Sequence, residues 1–227
     1  MPVLPAPIVC LVTDRQRLAA AWRWQDPISA LLAQVKLAVE ASVDLVQIRE
    51  PDLPGGVLET LVTRAVEVAR GRPTRIVVND RLDVALAAGA AGVHLRGNSF
   101  DAGRVRAVAP PGFLVGRSVH DVDEASRAAA SDEVDYLVFG TVFPSLSKPG
   151  GRRVTGVEEL GEVVRRVGVP VLAIGGVTPE TVAAVRRAGA AGFAAIGFFI
   201  DAEAGGGRWP EAARAARRWF DTSGTIP

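Results

Sequence analysis

The chain has 227 residues, of which 48% are hydrophobic and 22% charged, with a formal net charge of +1. That apolar share excludes a disordered chain and supports one sizeable core, while the near-zero net charge excludes the basic field that holds a nucleic-acid backbone. No apolar run reaches the roughly 18 residues of a membrane span, and no basic start followed by an apolar stretch marks a signal peptide, so a cytoplasmic protein without membrane or nucleic-acid partners is expected.

Short runs rich in Val, Ile and Leu recur at 8–12, 45–48, 75–78, 92–95, 113–115, 136–139, 169–174 and 193–196. Runs of this length without strict alternation fit strands buried on both faces of a parallel sheet. Amphipathic patterns predict helices over 27–40, 56–69, 81–88, 102–108, 122–130, 157–167, 179–188 and 209–220. Eight such units are the number that closes a parallel barrel. The expected fold is therefore α/β, a (β/α)8 TIM barrel, as one domain whose core spans residues 8–220. A doubly wound open sheet would have fewer strands and an early glycine fingerprint, which the chain lacks.

An internal echo supports this reading. Ala88-Gly89-Ala90-Ala91-Gly92 returns as Ala188-Gly189-Ala190-Ala191-Gly192, 189 − 89 = 100 residues later, leading into the fourth and eighth predicted strands. Alanine-glycine richness is the plainer account, but a half-barrel duplication gives the same spacing. Cys10 lies in an apolar run and reads as a buried, inert thiol. Lys36 and Lys148 are the only lysines, so the other 26 − 2 = 24 basic residues are arginines, which makes Lys148 in a loop of small residues conspicuous.

In such a barrel every strand ends on one face, and the loops after the strands carry the active site. After the second strand, alternation puts Gln47 and Arg49 on the same, inward side. A buried arginine needs a carboxylate or an anionic ligand, and the spacing leaves both open. After the third strand, Asn79 and Asp80 read first as caps of the next helix, with heterocycle or metal binding as the functional alternative. His94 lies inside the fourth run and reads as a satisfied core histidine. His120 follows Gly116-Arg117-Ser118-Val119 in the loop after the fifth run, where an imidazole can move protons at neutral pH. The hydroxyl-rich stretch 140–151 carries Lys148 and has the composition of a loop that closes over an anion. After the seventh run, Gly175 and Gly176 let backbone approach a ligand, with Thr178 as N-cap and Pro179 in the first helical turn. Ile196-Gly197 after the eighth run adds more bare backbone. These two loops are the usual phosphate site of the fold, although tight turns alone would also need such glycines.

The ordered set Gln47-Ile48-Arg49, Val78-Asn79-Asp80-Arg81, Gly92-Val93-His94-Leu95, Gly116-Arg117-Ser118-Val119-His120, Phe143-Pro144-Ser145-Leu146-Ser147-Lys148 and Ala173-Ile174-Gly175-Gly176-Val177-Thr178 resembles the thiamin phosphate synthase/TenI superfamily over residues 8–199. The resemblance implies a (β/α)8 barrel and a small phosphorylated heterocyclic substrate, with homo-oligomerisation left open. It implies substrate contacts at Gln47, Arg49, Asn79, Ser118, Ser145, Ser147 and Lys148, and a phosphate cradle at Gly175, Gly176, Ile196 and Gly197. Two chemistries occur in the superfamily. The synthase couples a pyrimidine pyrophosphate to a thiazole phosphate with Mg2+ held by two aspartates. The TenI-type thiazole tautomerase moves protons without a metal, using a histidine at the position of His120. This chain departs from the synthase pattern at Pro51, where a lysine is expected, at Ser99, where the second aspartate is expected, and at Gly197, where a serine is expected. The departures favour the tautomerase, an isomerase with His120 as catalytic residue and no cofactor. The synthase, with Mg2+ at Asp80, is the alternative, and a non-catalytic binding protein is a second one.

Overall fold

Each of the eight apolar runs becomes a strand. In chain order these are β1 Ile8–Val12, β2 Leu45–Ile48, β3 Arg75–Asn79, β4 Gly92–Leu95, β5 Leu114–Val119, β6 Tyr136–Phe139, β7 Val171–Ile174 and β8 Gly192–Ala195. The structure, a computed structural model, describes residues 4, 6–131, 133–144, 153–200 and 209–221. All neighbouring strands pair in parallel, and β1 pairs with β8 to close an eight-stranded barrel. The protein is a single-domain (β/α)8 barrel.

The helices are α1 Arg15–Trp22, α2 Pro27–Glu40, α3 Gly55–Ala69, α4 Leu82–Ala87, α5 Ala102–Arg106, α6 Val122–Ala129, α7 Gly156–Arg166, α8 Val182–Arg187 and α9 Trp209–Asp221. Helix α1 is absent from the sequence expectation. Its start signal is Asp14, whose carboxylate accepts from the Arg17 amide. Eight residues without a long apolar stripe hid it. β5 runs four residues further than its apolar run, so Ser118 stands on a strand and not in a loop.

Alternation along the strands divides the core into two layers. One side chain set, including Ile8, Cys10, Leu45, Val77, Leu114, Tyr136, Val138, Leu172 and Ala194, packs inside the barrel. The other set packs between strands and helices, with Leu11, Val46, Val78, Val93, Val115, Leu137 and Phe193 among its strand residues. Cys10 is fully buried, and burial raises its thiol pKa far above the ordinary value. It is the inert thiol expected.

The repeated pentapeptide has a physical cause. Gly89 and Gly189 both take positive φ, 65° and 84°, to turn the chain from helix into strand. The glycines that follow touch neighbouring strands: a Cβ on Gly92 would lie 2.3 Å from the Leu114 carbonyl oxygen, and one on Gly192 would lie 1.9 Å from that of Ile8. Gly192 therefore stands at the seam where the barrel closes.

On the face opposite the strand ends, Arg217 of α9 ties distant segments together. Its guanidinium donates to the Pro7 carbonyl at 3.2 Å, to the Ser42 carbonyl at 2.8 Å and to Asp44. Asp44 also accepts from the Val9 amide at 2.8 Å.

Because the seam leaves no space for a methyl group, Gly192→Ala is expected to lower the unfolding free energy by about 3 kcal/mol. Gly56→Ala, at an exposed α3 position where an added Cβ meets nothing, is expected to raise it by about 0.5 kcal/mol. Urea unfolding of the two variants measures both.

Candidate active site

Inward residues near the carboxyl ends of β2 to β5 form a polar layer. Gln47 of β2 donates from Nε2 to Oδ1 of Asn79 of β3 at 2.9 Å. On β4, His94 places Nε2 2.9 Å from the Ser118 hydroxyl and Nδ1 3.3 Å from the Tyr136 hydroxyl. His94 is thus a satisfied core residue. Burial pushes its pKa down to about 4, against the pull of Asp80. Asn79 and Asp80 do not cap α4, whose N-cap is Arg81 without a side-chain bond. The capping expectation fails because both side chains are engaged elsewhere on the rim.

Arg49 has no carboxylate partner among the described residues, which removes the internal salt bridge as an account of it. Its backbone is instead held firmly. The Arg49 amide donates to the Thr13 hydroxyl at 2.9 Å, and that hydroxyl donates to Glu50 at 2.7 Å. Glu50 pairs with Arg15 at 2.8 Å, and Arg15 reaches Asp52 at 2.6 Å. Glu50 and Arg15 are both buried. Burial pushes the Glu50 carboxyl up, and the Thr13 and Arg15 bonds pull it back. Sequence reasoning missed this network because Glu50 points away from the barrel interior, and α1, which brings Arg15, went unrecognised.

Asp80 sits at φ 62°, a left-handed conformation uncommon outside glycine. Its Oδ2 accepts from Arg96 Nε at 2.7 Å and also meets Nη2. Its Oδ1 accepts from the Ser99 hydroxyl. Ser99 in turn accepts from the Arg96 amide at 2.9 Å. Among the described residues no cluster of three or more His, Cys, Asp or Glu side chains could hold a metal ion. A hard divalent cation needs several oxygen ligands, preferably anionic. Here the one carboxylate already has a guanidinium against it, so the donor set does not fit Mg2+.

His120 follows β5 and is held by Glu124, which accepts from its amide at 2.8 Å and lies 3.1 Å from Nδ1. Its ring also lies against Gly97. Beside it, between the β4–α5 loop and α6, a cavity of about 310 Å3 is lined by Gly97, Asp101, Arg117, Ser118, Glu124 and Arg127 among others.

On the β7 side, Gly175 and Gly176 take φ 98° and 61°. A Cβ on Gly176 would lie 2.3 Å from the Pro144 carbonyl oxygen, and Phe143 donates its amide to the Gly175 carbonyl at 3.0 Å. These glycines therefore seat the start of the β6–α7 loop. Thr178 is not the N-cap of α8; that position is Thr181, whose hydroxyl accepts from the Thr178 amide at 2.8 Å. The Thr178 hydroxyl bonds Glu180 instead, holding that carboxyl below its usual range. Gly197 opens a short 3-10 turn, Gly197–Phe199, with Ile196 as its N-cap. Ser145, Ser147 and Lys148 lie outside the described residues.

A closed parallel barrel with a polar layer, an arginine without a carboxylate partner among the described residues and glycine turns on one rim has the form of a (β/α)8-barrel enzyme. The model of the family described as thiamine monophosphate synthase (TMP-TENI) matches residues 9–199. The chain belongs to this family. It is 41% identical over 182 residues to a thiamine-phosphate synthase of Methanoculleus marisnigri, covering 80% of this chain and 84% of that one. It is 39% identical over 192 residues to a thiamine-phosphate synthase of Anaeromyxobacter dehalogenans, covering 82% and 86%. A solved thiamine phosphate pyrophosphorylase from Pyrococcus furiosus superposes with a TM-score of 0.75 at 28% identity, covering 94% of this chain and 95% of the other. These similarities overturn the tautomerase expectation: relatives at this level of identity are named synthases. The proton-shuttle role of His120 belongs to that overturned reaction and is not carried forward.

His94 supplies a pH test of the polar layer. Its folded pKa of about 4 lies below the 6.5 of an unperturbed ring, so the unfolded chain takes up the proton first. The contribution is complete above pH 6.5 and is lost as pH falls toward 4, to a maximum of about 3 kcal/mol. Urea unfolding is expected to show a shallower loss over this range for His94→Gln than for the native chain.

Proposed function

We propose that the protein is a thiamine-phosphate synthase, a transferase joining a pyrimidine pyrophosphate to a thiazole phosphate with release of pyrophosphate. The observation that carries this reading is identity near 40% with synthases across four-fifths of the chain. The rim supplies chemistry of the right kind. Gln47 and Asn79 form a joined pair of amides suited to the donors and acceptors of a heterocycle. Arg49, on a backbone fixed by Thr13, offers a full set of guanidinium donors to a phosphate oxygen. Ser118 holds its hydroxyl in register through His94. Among the described residues the amides of Gly176 and Gly197 donate to no backbone carbonyl, so they remain available to the phosphate of the thiazole. Ser145, Ser147 and Lys148 keep the roles that the family resemblance assigns them.

Cationic groups matter because negative charge grows on the departing pyrophosphate, and fixed donors that meet it lower the barrier. Arg49→Ala is expected to reduce kcat/KM by about 100-fold while leaving the fold intact. Pyrophosphate release and thiamine phosphate formation, followed with both substrates present, measure this. Absence of turnover by the native chain with the two substrates would sink the reading.

A further inference from the structure

The synthase pattern loses two charged groups in this chain, at Pro51 and at Ser99, yet the rim is not short of positive charge. The geometry points to Arg96 as the resident cation of the Asp80 site, taking the place of a divalent metal and binding the pyrophosphate group directly.

Three observations carry this. First, Arg96 engages Asp80 through Nε at 2.7 Å and through Nη2, which leaves Nη1 without a partner among the described residues. The Arg96 side chain is 61% exposed while that of Asp80 is 18% exposed, so the guanidinium stands between the carboxylate and solvent. Second, Ser99 occupies the place of a second carboxylate and gives its hydroxyl proton to Asp80, so the remaining carboxylate oxygen is also committed. Third, the loop that carries both residues is built to stay in place. The Ser99 amide donates to the Arg96 carbonyl at 3.1 Å. Arg117 of β5 donates to the carbonyls of Gly97 at 3.3 Å, Ser99 at 3.0 Å and Phe100 at 3.3 Å. One arginine thus clamps the loop from beneath while another is presented at its edge.

The charge arithmetic follows. Two carboxylates and Mg2+ sum to zero; one carboxylate and one guanidinium also sum to zero. With Ser99 in place of an aspartate, the Arg96 guanidinium therefore leaves the Asp80 site neutral without a metal. A guanidinium differs from Mg2+ in offering directed N–H donors without needing vacant coordination positions. The identity of the anion as a pyrophosphate rests on the synthase reading; the exclusion of the metal rests only on Asp80, Arg96 and Ser99.

Calorimetric titration of the full-length chain separates these. MgCl2 alone is expected to give no saturable binding. Inorganic pyrophosphate is expected to bind in the presence of EDTA, about 10-fold more weakly to Arg96→Gln than to the native chain, with Arg96→Lys intermediate. The double variant R96Q/S99D restores the carboxylate and removes the guanidinium, and it is expected to gain saturable Mg2+ binding. Saturable Mg2+ binding by the native chain, pyrophosphate binding that requires Mg2+, or no pyrophosphate binding under either condition overturns the proposal. So does a double variant that still ignores Mg2+. Pyrophosphate binding in EDTA by a chain that turns over neither substrate would leave the Arg96 assignment standing and remove the synthase reading instead.

Discussion

The middle of the barrel is governed by the fit of Tyr136 into the space that Gly116 leaves. A Cβ on Gly116 would lie 2.1 Å from the tyrosine ring, so no other residue at that position admits the ring where it stands. Tyr136 is fully buried, and a buried phenol needs a hydrogen-bond partner. His94 is that partner, and it passes the connection upward to Ser118. A neutral imidazole has one donor and one acceptor nitrogen, so the two hydroxyls it bridges are oriented together. The apolar floor is thereby linked to the polar rim through a single column of side chains on three adjacent strands.

The rim itself is asymmetric. Its polar side chains come from β2 to β5, while Ile174 and Ile196, with Gly175, Gly176 and Gly197, line the opposite arc. This separation suits a substrate pair with one end recognised by side chains and the other by main chain. Arg49 and Arg96 of the polar arc are prepared differently. Arg49 has a backbone held by Thr13 and, among the described residues, no carboxylate partner for its head group. Arg96 has a committed head group on a loop that Arg117 secures.

The barrel was legible in the sequence because most strand residues are buried on both faces, which writes a short, mainly apolar run at each site. Its boundaries were less so. β5 continues through Gly116, Arg117 and Ser118, residues whose hydropathy says loop but whose inward neighbours, Tyr136 and His94, make a strand of them. Among site residues, Gln47 follows from strand alternation, whereas spacing makes Asn79 a helix cap and only the family resemblance makes it a substrate contact; their mutual bond is not legible in the sequence. The pairing of Asp80 with Arg96 joins residues 16 apart through a loop that no periodicity describes. The Thr13–Glu50–Arg15 network is likewise non-local, spanning 35 to 37 residues. The tautomerase expectation failed for a different reason. It weighed Pro51, Ser99 and Gly197 as losses, and these three positions do not outweigh identity near 40% with relatives named synthases across four-fifths of the chain.

The clasp made by Arg217 has a consequence for the order in which the molecule is assembled. Its acceptors lie at Pro7, Ser42 and Asp44, as many as 210 positions earlier in the chain. During synthesis the amino-terminal strands leave the ribosome long before this residue exists. Until it arrives, Asp44 has backbone amides, that of Val9 among them, but not this guanidinium. The contacts that Arg217 makes to the residues leading into the first two strands therefore close only after the last helix has been made.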